Sequence, residues 1–112
     1  MTDCIFCKII AGEIPSSNVY ENDKIFAFKD INPKASVHIL VIPKRHIDSL
    51  DHLDQSQQDL MGYMTLKLPE IARSQGLNNG FRTIINTGPD GGQEVGHLHF
   101  HILGGSKMPG FN

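Results

Sequence analysis

His97-Leu98-His99-Phe100-His101-Ile102-Leu103 alternates polar and apolar side chains with a period of two. That is the period of an extended strand, so the three imidazoles share one face while Leu98, Phe100 and Ile102 share the other and can bury against a core. Half of the chain's six histidines fall in this stretch. A solvated edge strand is the bland explanation. Imidazole, however, changes charge near neutral pH and serves both as nucleophile and as ligand, and three of them on one face read as a site. The stretch predicts a strand over residues 97–103 that is both structural and functional.

Just upstream lies Asn86-Thr87-Gly88-Pro89-Asp90-Gly91-Gly92-Gln93, a glycine-rich loop leading into the histidine strand. Glycines let backbone N–H groups approach a ligand closely and form concavities that hold anions. No Gly-Lys-Ser/Thr follows, so this is not a P-loop. Beside three imidazoles, a phosphate cradle is the better reading than a plain connection.

Further out, Val37-His38-Ile39-Leu40-Val41-Ile42 is the strongest strand in the chain and ends at Pro43. His38 is its one polar side chain, and a second histidine-bearing strand exists for it to meet. Asn18-Val19-Tyr20 and Lys24 to Lys29 predict a hairpin turned by Glu21-Asn22-Asp23, and Phe81 to Asn86 predicts a further strand. Asp54-Gln55-Ser56-Gln57 has the spacing of a capping box. Leu60, Met61, Met64, Leu68, Ile71 and Ala72 follow at helical spacing, with Gly76 as the stop and Pro69 expected to kink or split the helix near Leu68. Lys8 to Ile14 reads as a short helix ending at Gly12. Five short strands with one long and one or two short helices predict a single α+β domain over residues 1–112, its five-stranded sheet mostly antiparallel.

At 112 residues, with 39% hydrophobic and 20% charged residues, the chain fits one ordinary core. A formal net charge of −2 argues against a nucleic-acid partner, and Lys44-Arg45-His46 is too small a basic cluster for one. No apolar run reaches the roughly 18 residues of a membrane span. Met1-Thr2-Asp3-Cys4 lacks the pattern of a secretory leader, so a cytoplasmic location is expected. Cys4-Ile5-Phe6-Cys7 holds both cysteines. In a reducing compartment it leaves zinc, redox chemistry or two buried thiols. No strand precedes the motif, as a thioredoxin-like redox site would need, and with no second C-x-x-C a zinc would have to take histidines as its other ligands.

The histidine run resembles the histidine-triad motif, His-φ-His-φ-His-φ-φ. Cys4 to Ile10, Ala27 to Ile31, His38 to Lys44 and Gly91 to Gln93 resemble blocks of the same family in the same order. The resemblance spans nearly the whole chain and is nearest to the histidine triad nucleotide-binding (Hint) branch, small homodimeric purine nucleotide hydrolases. It implies two protomers joined edge to edge into a ten-stranded sheet. It implies that His99 attacks the α-phosphorus of a nucleoside phosphoramidate or related adenylate, giving a nucleotidyl-histidine that water hydrolyses. His101 and His38 would then contact phosphate oxygens and help proton transfer.

The same resemblance implies a base pocket lined by Phe6, Ile14, Phe28, Ile31 and Leu40. Asp30 would hold the ribose, with Asn86, Gly92, Gln93, Glu94 and Val95 completing the site for a purine nucleotide such as AMP or GMP. Cys4, Cys7, His46 and His97 would hold one structural zinc, with no catalytic metal required. Two departures stand out. Glu94 occupies a position where animal members carry serine, and the tail Met108-Pro109-Gly110-Phe111-Asn112 lacks their tryptophan. A catalytic zinc on the triad is disfavoured, because alternate residues on a straight strand lie roughly 6.5–7 Å apart. Nucleotidyl transfer, or nucleotide sensing with incidental hydrolysis, are the alternatives to a hydrolase.

Overall fold

The computed structural model describes residues 3–110; Met1, Thr2 and the end of the tail, Phe111 and Asn112, lie outside the described residues. Its centre is the aliphatic run, a strand over Val37–Pro43 that is buried almost throughout. A strand apolar on both faces needs cover on both, and the chain supplies two unequal layers. In chain order the elements are α1 (Ile5–Ile10), β1 (Asn18–Glu21), β2 (Ile25–Lys29), β3 (Val37–Pro43), α2 (Gln58–Ser74), β4 (Arg82–Ile84) and β5 (Phe100–Gly104), with short 3₁₀ turns at Leu50–His52 and Gln55–Gln57. The sheet order is β1-β2-β3-β5-β4, and every neighbouring pair is antiparallel. The five-stranded sheet and one long helix agree with the sequence reading.

Alternation sorts the strand residues between the two layers. Ile25, Ala27, Ile39, Val41, Phe100 and Ile102 pack with Met64, Leu68, Ile71 and Ala72 of α2 in the larger cluster. Phe26, Phe28, Leu40 and Ile42 pack with Phe6 and Ile9 of α1 in the smaller one. Opposite residues of an antiparallel pair share a face. The register Leu40↔His101 and His38↔Leu103 therefore puts both imidazoles on the side of the smaller cluster, away from α2.

Four local expectations are corrected. Helix α1 starts at Ile5 rather than Lys8, because Cys4 caps it: its Sγ accepts the Cys7 N–H at 3.3 Å. Helix α2 runs through Pro69 unbroken, since Leu68 on one side and Ile71 and Ala72 on the other are both buried against the sheet. Strand β4 covers Arg82–Ile84 only, and its last pair is Ile84 with His101.

The fourth is the triad itself. Regular pairing starts at Phe100, so His97 and His99 lie on the approach to β5, with the chain bent at His97. Pro43, at the facing end of β3, has no N–H to offer a ladder. The Leu98 N–H donates instead to Ile47 O at 2.7 Å, and the His97 ring donates through Nε2 to Pro43 O at 2.9 Å. The alternation survives this departure, with Leu98 in the larger cluster. Among the described residues, no helix is long and apolar enough to cross a membrane.

Candidate functional site

The three histidines of the motif have different partners. His97 is fully buried, and its Nε2–H is spent on Pro43 O, so Nδ1 carries the lone pair. His99 donates Nδ1–H to the carbonyl of His97 at 2.8 Å, which leaves the lone pair on Nε2. Its ring stands edge-on to Phe6, 5.2 Å between centroids. His101 faces His38 across the β3–β5 ladder, with His38 Nε2 2.9 Å from His101 Nδ1. Asp30 Oδ2 lies 3.5 Å from that same His38 nitrogen.

Burial, with the neighbouring imidazoles of His99 and His38, pushes His101 down to about 4, so it is neutral at pH 7. Burial also lowers His38, against the opposing pull of the Asp30 carboxylate. The two rings together form an uncharged pair.

These groups open onto a pocket of about 440 Å³. Asp30, His38, Asn86, Gly92, Glu94, His99 and His101 all line it, bringing together seven of the residues singled out from the sequence. The glycine-rich loop forms one wall and is tied at both ends. Asn86 Nδ2 donates to Gly91 O at 2.7 Å, and the Gly88 N–H donates to Gln93 Oε1 at 2.9 Å. Gly92 sits at φ +79°, a conformation open to glycine at little cost, where the wall meets the pocket.

The base-pocket candidates are not among the residues lining this cavity. Phe6, Phe28 and Leu40 are core residues of the smaller cluster, with Ile14 and Val95 packed on its margin. Ile31 is 90% exposed and does not line the pocket. Gln93 braces the loop from within: its Nε2 donates to Asp48 O at 2.7 Å and to Val95 O at 3.0 Å.

Asn32, Lys34, Ile84, Leu103 and Met108 also line the pocket and were missed from the sequence. Leu103 continues the period-two face of His97, His99 and His101, a signal that was there to be read. Ile84 follows from its pairing with His101, which no local pattern reveals. Met108 comes from the tail, whose sequence carries no signal for it.

A second constellation sits behind the triad. One donor atom from each of Cys4, Cys7, His46 and His97 lies within 4.8 Å of the others. His97 Nδ1 is 3.3 Å from Cys4 Sγ and 3.7 Å from Cys7 Sγ, and His46 Nδ1 is 3.3 Å from Cys7 Sγ. The outer nitrogens are already committed, His97 Nε2 to Pro43 O and His46 Nε2 to Asp48 Oδ1 at 2.7 Å. Both imidazoles thus aim lone pairs at the two sulfurs, which is how histidines are presented to a metal. Burial and the adjacent Cys4 push the Cys7 thiol up, a cost that a divalent cation between the sulfurs would reverse. The donor set fits a four-coordinate zinc with no open position. Inside the pocket, one donor atom from each of Asp30, His38 and His101 likewise lies within 4.8 Å of the others.

Comparison with known proteins places this geometry in context. The model of the HIT domain family matches residues 11–108. Protein HitA of Neisseria gonorrhoeae is 59% identical over 104 residues, covering 93% of this chain and 97% of that protein. A 14 kDa zinc-binding protein of Zea mays is 47% identical over 107 residues, 93% of this chain and 83% of its own length. A solved HIT family hydrolase from Legionella pneumophila Philadelphia 1 superposes with a TM-score of 0.92 at 41% identity, covering 96% of both chains.

Proposed function

The chain belongs to the HIT domain family, and from that premise we propose that it is a nucleotide-binding hydrolase using His99 as its nucleophile. Its substrates are nucleoside phosphoramidates or related adenylates of a purine base. The observation that carries this reading is the bond from His99 Nδ1–H to the His97 carbonyl, which leaves Nε2 with a lone pair at a pocket walled by a glycine loop. In the reaction that follows, Nε2 bonds to the α-phosphorus and the phosphorus–nitrogen bond of the substrate breaks. The amine departs with a proton from solvent. Water then attacks the nucleotidyl-His99, releasing the nucleoside monophosphate and restoring the imidazole. Asp30, on the pocket wall, is suited to accept hydrogen bonds from two ribose hydroxyls.

Cys4, Cys7, His46 and His97 hold a structural zinc in this reading, supported by their donor geometry and by the zinc-binding relative. When bound, the ion supplies a cross-link between the N-terminal segment and the start of the triad; it takes no part in the chemistry. The active form is a homodimer, which covers an open edge of the sheet.

The test is His99→Ala. Removing the nucleophile should lower turnover of adenosine and guanosine phosphoramidates by at least about a thousandfold while nucleotide binding persists. A nucleotidyl adduct trapped on any residue other than His99 would end the assignment.

A further inference from the structure

The resemblance has His38 touch phosphate and help proton transfer; in the structure both of its ring nitrogens already have hydrogen-bond partners. The Lys34 backbone N–H donates to His38 Nδ1 at 3.0 Å, so that nitrogen must carry a lone pair. The hydrogen of the neutral ring is therefore on Nε2, which faces His101 Nδ1 at 2.9 Å and Asp30 Oδ2 at 3.5 Å. Two nitrogens 2.9 Å apart need one hydrogen between them. The reverse arrangement, with His101 donating, would require Nδ1–H on His38 and set two donors against each other at Lys34. His101 Nδ1 is accordingly an acceptor, and the only ring hydrogen of neutral His101 is on Nε2.

We propose that the Lys34 amide sets a one-way chain, Lys34 N–H to His38 Nδ1 and His38 Nε2–H to His101 Nδ1. The chain obliges His101 to offer Nε2–H to a phosphoryl oxygen in the pocket. His38 is then a positioning residue. His101 is a neutral hydrogen-bond donor, and neither ring passes on a proton. A neutral donor stabilises the charge that builds on the phosphoryl oxygens without first binding a proton of its own, and it is in place before substrate arrives. The role rests on the hydrolase reading; the protonation pattern does not.

The same chain has a second effect. Asp30, His38 and His101 lie close enough to share a metal ion. Binding one through His38 Nε2 would move that ring's hydrogen to Nδ1, against the Lys34 N–H. The pocket is closed to the metal that the four-donor cluster accepts.

Nitrogen-15 NMR of the imidazoles in the full-length, zinc-loaded protein reads the pattern directly and needs no substrate. The expected result is Nε2–H on both His38 and His101 at pH 7. A hydrogen on Nδ1 of either ring would overturn the proposal. Two variants separate positioning from chemistry. His38→Gln keeps an N–H aimed at His101, cannot titrate, and should stay within about tenfold of the parent kcat. His38→Leu removes the donor, and should lower kcat by about a hundredfold with KM little changed and release His101 to both tautomers in the spectrum. Equal losses in the two variants would show that the imidazole of His38 itself is needed, and the proposal would fail. Zinc titration should saturate at one equivalent per chain; a second tight equivalent that His38→Gln abolishes would also refute it. Should the parent turn over no phosphoramidate, the hydrolase reading fails while the spectra still decide the tautomers.

Discussion

At the scale of single residues, the site depends on keeping imidazoles uncharged, and that has a measurable cost in acid. His101 is held at about 4 by burial and by the rings of His99 and His38, whereas a histidine in the unfolded chain titrates near 6.5. Between those values the unfolded state binds the extra proton, so stability falls as pH drops from about 6.5 toward 4. The depressed His38 adds to the same trend. The melting temperature should decline through that window, and it should decline less steeply in His101→Gln; comparing the two profiles cancels the carboxylates common to both. Parallel profiles would count against a neutral His101. The sequence made the shared face of His99 and His101 legible, because a period of two needs no tertiary knowledge. It could not give the hydrogen-bond partners, since the acceptor for His99 is a carbonyl two residues back and the partner of His101 is 63 positions away.

At the scale of elements, the glycine-rich loop is the part most exposed to a single substitution. A Cβ on Gly91 would lie 2.3 Å from Thr87 O and 2.9 Å from Thr87 N, both main-chain atoms that cannot swing aside. Gly91→Ala should therefore force the loop open, cost about 1–3 kcal/mol of stability and raise KM more than it lowers kcat. Denaturant unfolding and steady-state kinetics together check this; an unchanged KM would mean that the loop does not meet substrate. The loop's existence was readable from its glycines, but its bracing was not. Gln93, expected to flank the phosphate, ties Gly88 to Asp48 and Val95. The capping box at Asp54 was read correctly, with the Asp54 N–H donating to Gln57 Oε1 at 2.7 Å, although it opens a 3₁₀ turn that runs into α2. Proline misled at Pro69, and at Pro43 its effect reached further than the end of its own strand. Pro69 is overridden by the burial of its neighbours, and the missing N–H of Pro43 ends the β3–β5 ladder before His99.

At the scale of the whole molecule, metal and assembly are read by one measurement. Native mass spectrometry of untagged protein should give twice the chain mass plus two zinc ions, and chelation should lower the melting temperature. A monomer at micromolar concentration, or less than about one-tenth of an equivalent of zinc with both thiols titratable, would remove the corresponding part of the proposal. The metal cluster shows the limit of reading a sequence by itself. Cys4 and Cys7 are adjacent in any reading, but His46 and His97 lie 39 and 90 positions beyond Cys7. Only the fold, or a resemblance to other chains, brings them together. The outer strands β1 and β4 follow from the sheet order, and that order too is a long-range property.

The two bonds that orient the working imidazoles end on main-chain groups, the carbonyl of His97 and the amide of Lys34. Side-chain replacement erases neither of them; at position 34 only proline would remove the amide. The protonation pattern proposed for these rings is thus insulated from sequence drift. A lineage can replace the histidine at position 97, or trade the lysine at position 34, and keep the imidazoles of His99 and His38 oriented as they are here. Anyone transplanting this chemistry onto another scaffold would have to copy the backbone path around both positions, because copying the histidines alone would leave their hydrogens unassigned.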